Sequence, residues 1–107
     1  MSNHAEVLEV ACEWLSLKPR ERTVLRNCLW ARSQVENGNF LTTPSTVPSA
    51  NRLIGRGYIT KSKHQGTPAM NPKTFGMVVL LTEANWQKLV GDANATRADA
   101  ATEIAGR

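Results

Sequence analysis

The sequence predicts an α+β fold: three to five helices and a two-stranded β-hairpin around one small core. Three observations predict it. Helical apolar spacing in the first half is punctuated by Pro19 and Asn37-Gly38. Two β-prone runs, Tyr58 to Lys63 and Phe75 to Leu81, flank a loop holding Gly66, Pro68 and Pro72. A capped amphipathic segment then follows from Thr82. The chain has 107 residues with 41% apolar content, enough for one modest core and too much for wholesale disorder. The organisation expected is one domain over residues 1–91, its core within 19–91, followed by an alanine-rich stretch at 92–107.

Asn3 suits the start of the first helix, with Glu6 three residues on as in a capping box. Leu8, Ala11, Cys12 and Leu15 share a face at i, i+3, i+4, i+7, and Val7 and Trp14 widen it. Glu6, Glu9 and Glu13 line the other side. Lys18-Pro19 ends this helix, because the residue before proline avoids the α region. Pro19 itself fits the first position of a second helix. Val24, Leu25, Cys28 and Leu29 form its core stripe, Arg22 and Arg26 lie one turn apart on its surface, and Asn37-Gly38 supplies the stop.

From Phe40 to Ser45 the chain reads as an extended turn, since Pro44 and Pro48 leave little room for a regular helix. A third helix opens with Ser45 as cap and Pro48 in its first turn, where the missing N–H costs nothing. Val47, Ala50, Leu53 and Ile54 point inward; Ser45, Ser49, Arg52 and Arg56 point outward. Gly57 adopts positive φ and stops it. The two strands follow. Thr82 then caps a last helix carrying Trp86, Leu89 and Val90, closed by Gly91. Beyond it, Ala98, Ala101, Ile104 and Ala105 keep helical spacing, giving either a short helix against a partner subunit or a frayed end.

The formal net charge is +4, which permits a polyanionic partner without demanding one. Its distribution says more. Residues 18–73 carry ten Lys and Arg against two acidic residues, Glu21 and Glu36, whereas the first seventeen residues carry three Glu and no Lys or Arg. Segregation of this kind points to one basic face. The start lacks a charged leader and no run is long enough for a membrane helix, so the reading is a cytoplasmic protein. Cys12 and Cys28 sit on apolar helix positions without a CxxC pair, which argues against zinc. Reduced buried thiols are the plain reading, and a disulfide between the first two helices the other. No Ser-His-Asp grouping, paired acids or phosphate-cradling glycine loop is present, so no catalytic residues, metal or cofactor are expected, and an enzyme is not. Trp14 and Trp86 fall on core-facing positions; Trp30 lies beside a stripe already filled and could mark a subunit contact.

Two phrases carry a family resemblance: Leu53-Ile54-Gly55-Arg56-Gly57-Tyr58-Ile59 and Leu80-Leu81-Thr82-Glu83-Ala84. In that order and spacing they resemble the recognition helix and wing of winged helix-turn-helix domains of the MarR type, over roughly residues 19–91. Pro19 to Leu25 resembles the opening helix of many bacterial regulator domains. The chain departs from the pattern in its shortened positioning helix, and it lacks the long flanking dimer helices and ligand pocket of a full MarR protein. The resemblance implies duplex DNA binding, often as a symmetric homodimer, with transcription control as the outcome. On that basis Arg52 and Arg56 fork onto guanine or phosphate. Ser45, Ser49 and Asn51 reach phosphate or base edges, Asn51 alternatively serving as a buried anchor. Lys61, Lys63, His64 and Lys73 serve the hairpin, for phosphate contact or for protection of a strand edge. Arg22 and Arg26 touch the backbone from the second helix. The rival reading is a protein-binding adaptor or inhibitor on the same fold, and a single-strand or RNA binder is a third.

Overall fold

This computed structural model describes residues 4–35, 38–63 and 76–105, with side chains to residue 98. The elements run α1 (His4–Trp14), α2 (Pro19–Gln34), β1 (Asn39–Leu41), a 3-10 turn (Pro44–Thr46), α3 (Val47–Arg56), β2 (Thr60–Lys61), β3 (Val78–Leu80) and α4 (Glu83–Ala105). The protein is a small α+β domain. The Asn3 cap expected for α1 and the loop over 65–74 lie outside the described residues.

Local chemistry explains the helix ends. After α1, Ser16 takes a left-handed φ of 54°. Its N–H bonds the Glu13 carbonyl at 3.1 Å and that of Leu17 bonds the Cys12 carbonyl at 3.0 Å, a Schellman pair that ends α1 before Lys18-Pro19 is reached. Pro19 opens α2, and the Lys18 N–H donates to Glu21 Oε1 at 3.0 Å, satisfying a free end of that helix. At α4, the Thr82 N–H donates to Asn85 Oδ1 at 3.0 Å and the Asn85 N–H to Thr82 Oγ1 at 3.1 Å, a reciprocal cap.

The sheet has three strands, not the two expected. Its order is β1-β3-β2, all antiparallel, with Phe40 opposite Val79 and Lys61 also opposite Val79. Thr42 fixes the added strand. It is 1% exposed, and its hydroxyl accepts from the Met77 N–H at 2.8 Å. Its own N–H donates to the Met77 carbonyl at 2.9 Å. A Cβ at Gly76 would meet the Thr42 carbonyl at 2.4 Å, so this close approach of two backbones requires glycine.

Every helix and the sheet feed one core: Leu8 and Cys12 from α1, Leu25 and Cys28 from α2, Leu53 from α3, Val79 from β3, Leu89 from α4, together with Ile59 and Leu81. Each fully buried Leu or Ile contributes about 1.5–3 kcal/mol of transfer free energy. Both cysteines are free and buried. Burial pushes the Cys12 thiol up to about 11 and that of Cys28 up to about 12, so both stay protonated near neutrality. Trp86 is buried, with the His4 ring edge-on at 5.1 Å. Trp14, expected inside, is 38% exposed, because α1 and α4 meet below it and leave its ring at the rim of their groove.

Gly91 does not stop the last helix. α4 continues to Ala105, a length of roughly 34 Å at about 1.5 Å per residue. One helical glycine costs only about 1 kcal/mol against alanine. The Lys88–Asp92 ion pair at 2.9 Å bridges the turn that contains it.

Candidate nucleic-acid interface

The site is built on α3. The 3-10 turn before it is tied by hydroxyls: Thr46 Oγ1 donates to the Thr43 carbonyl at 2.9 Å, and Thr43 Oγ1 lies 3.0 Å from Ser45 Oγ. Thr46, not Ser45, occupies the cap position of α3, and Pro48 falls in its first turn. At the other end Gly57 takes φ 83°. Its N–H reaches the Ile54 carbonyl and that of Tyr58 the Leu53 carbonyl, both at 3.0 Å. The helix therefore stops sharply after Arg56.

The outward stripe of α3 is Pro48, Asn51, Arg52 and Gly55, with Arg56 at its flank, all exposed. Ser49 is not part of it. Expected outward by counting turns from Ser45, it is 2% exposed. It borders the buried stripe of Ala50 and Leu53, and the Arg52 side chain folds onto its hydroxyl. Asn51 is exposed and is not a buried anchor. A Cβ on Gly55 would meet nothing within 4 Å.

Arg52 is paired with Glu21, its Nε 3.7 Å from the Glu21 Oε2. Its Nη2 donates to Ser49 Oγ at 3.1 Å. Arg56 lies with its guanidinium 6.0 Å from the centre of the Tyr58 ring, within cation–π range. Tyr58 in turn donates to Asp92 Oδ2 at 2.8 Å. The Lys88 ammonium holds the Asp92 carboxyl below its ordinary value, helped by that phenol. Burial, and secondarily the Asp92 bond, pushes the Tyr58 phenol up to about 12.

Lys61 and Lys63 are exposed and form no ion pair among the described residues. Arg56 closes α3 and Lys61 closes β2, so the chain holds their Cα atoms within about 18 Å. Ser62 between the two lysines is buried, its N–H donating to the Val78 carbonyl at 2.9 Å. His64 and Lys73 lie outside the described residues.

Other parts of the basic segment are engaged elsewhere. Arg26 grips Glu9 of α1 with two bonds, one from Nη2 at 2.9 Å, and this contact lowers the Glu9 carboxyl. Arg22 is half-buried, its Nε on the Leu17 carbonyl at 3.1 Å. Arg32 pairs with Glu83. The excess counted along residues 18–73 is thus partly neutralised by acids from outside that segment.

Counting turns does not find Glu21, which pairs with Arg52, or Tyr58, Asn85 and Asp92, which tie the turn after α3 to α4. Asn85 is 8% exposed; its Nδ2 donates to the Gly57 carbonyl at 2.9 Å and its Oδ1 accepts from Thr60 Oγ1 at 2.9 Å. The Thr82-x-x-Asn85 spacing was the available signal for one of them. Among the described residues no three His, Cys, Asp or Glu gather as metal ligands, and no helix is long and apolar enough to cross a membrane. No protein-family model, no curated protein and no solved structure matches this chain.

Proposed function

We propose that this protein binds double-stranded DNA through α3 and the β2–β3 ribbon and acts as a small transcriptional regulator of the winged-helix kind, sequence-specific or semi-specific. One observation carries the reading. A short helix exposes Asn51, Arg52 and Arg56, and the strand that follows it ends on Lys61, with Lys63 exposed two residues beyond. An α-helix fits the major groove, where arginine reads guanine and asparagine reads adenine. Lysines on an adjoining ribbon suit phosphates or the minor groove. The element order supports the reading: the two phrases that resemble MarR-type domains fall on the α3–β2 and β3–α4 junctions. The positioning helix is replaced by the 3-10 turn, which sets the approach of α3 to the duplex.

Selection of bound duplexes from a random pool, with mass measured in solution, tests this and separates a homodimer from a monomer. Recovery of a shared motif supports the proposal. Arg52→Ala should then cost about 1–3 kcal/mol and relax sequence choice. Failure to enrich any duplex over single strands contradicts it.

A protein-binding adaptor or inhibitor is the second reading. It is favoured by Trp30, which is 65% exposed beside an apolar groove between α1 and α2. Salt-insensitive capture of a protein partner, with no duplex binding, would select it.

A further inference from the structure

The geometry points to Glu21 and Ser49 as positioning residues that hold Arg52 ready to contact the duplex. This rests on the DNA-binding reading of α3. Three facts carry it. Glu21 is 5% exposed and Ser49 is 2% exposed, yet both face one arginine whose side chain is 48% exposed. One Glu21 oxygen is fixed by the Lys18 N–H at 3.0 Å, so the carboxylate belongs to the start of α2 and cannot swing out with Arg52. The other oxygen faces Arg52 Nε at 3.7 Å, while Arg52 Nη2 donates to Ser49 Oγ at 3.1 Å.

The guanidinium is planar, with its donors in a fixed fork. Nε and one N–H of Nη2 are turned to the protein. Nη1 has no protein acceptor among the described residues. The Nη1/Nη2 edge is the one that forks onto guanine O6 and N7 or onto two phosphate oxygens. Without these partners, binding would have to order a long flexible side chain. Holding it beforehand is worth about two- to tenfold in affinity.

The sign of one substitution separates this from a passive role. Glu21→Gln keeps an oxygen for the Lys18 N–H and removes a negative charge. If Glu21 merely sits near the duplex or sequesters Arg52, losing its charge beside phosphates tightens binding. If it positions Arg52, binding weakens.

The test is a double-mutant cycle on the full chain, read by the equilibrium affinity for duplexes selected from a random pool. Thermal midpoints are measured alongside. Glu21→Gln and Ser49→Ala, the latter without charge change, are each expected to weaken binding about two- to tenfold. In the Arg52→Ala background both effects should vanish, which a general loss of stability would not produce. Parent-like or tighter binding by Glu21→Gln, or equal losses with and without Arg52, overturns the assignment. A parent that binds no duplex removes the DNA-binding reading itself, and the positioning role with it; a parent that binds while Arg52→Ala changes nothing removes only the latter.

Discussion

Asn85 Nδ2 donates to the Gly57 carbonyl at 2.9 Å, so the first turn of α4 clasps the turn that ends α3. The same amide caps α4 through Thr82 and accepts from Thr60 at the start of β2. Three elements therefore take their relative placement from one buried side chain. Asn85→Ala leaves several of those groups without partners and should cost about 2–3 kcal/mol. Urea unfolding checks it: a lower midpoint with an unchanged slope is expected, and a parent-like midpoint would show the clasp to be idle. Asn85→Asp keeps the acceptor, loses the donor to Gly57 and should fall between.

Gly55 sits on the exposed stripe of α3 with open space where a Cβ would be. In a helix interior this glycine costs about 0.5–1 kcal/mol relative to alanine. Gly55→Ala should therefore stabilise the fold by that amount in thermal unfolding. The methyl group also stands on the face proposed to meet DNA, where glycine lets a backbone approach closely. The same variant should bind duplex more weakly than the parent. Greater stability with unchanged binding would place the contact surface elsewhere.

Ser16 holds a left-handed φ of 54° after α1. A residue with a Cβ costs about 1–2 kcal/mol there. Ser16→Gly relieves that strain but adds freedom to the unfolded chain, so a net gain of about 0.5–1 kcal/mol is expected. A loss of thermal stability would contradict the backbone assignment at this turn.

Alkaline pH should unfold the protein. Tyr58, Cys12 and Cys28 are all raised, from ordinary values of 10.0 and 9.0 to about 12, about 11 and about 12. The folded state holds these protons more tightly than the unfolded chain does. The stability they contribute is complete below pH 9.0 and is lost progressively as pH rises towards 11–12. Urea midpoints measured across that window should fall steadily, less so in Tyr58→Phe. A flat profile would mean that these groups are more open than their burial indicates. At neutral pH both thiols should resist a thiol reagent until the chain unfolds.

What the sequence disclosed was local. The Gly57 stop, the Pro48 first turn and the Thr82 cap depend on neighbours within a few residues, and all three stand in the structure. β1 was not legible, because Asn39–Leu41 is too short to show alternation and is fixed by Thr42 reaching Met77 across the fold. Ser49 lies where the outward and buried stripes of α3 meet, and only the fold of Arg52 onto its hydroxyl decides that it is buried. Along the chain Glu21 is only one of two acids within the basic segment. Its partner Arg52 lies on another helix, and spacing along one element cannot reveal such a pair. The long α4 was hidden by Gly91, whose local cost is small against the residues on either side.

The salt dependence of duplex binding tests the central claim most directly. The logarithm of affinity should fall linearly with the logarithm of salt concentration, and Lys63→Ala should lower the slope by about one. Duplex affinity independent of salt, or a slope unchanged by Lys63→Ala and Lys61→Ala together, would contradict it.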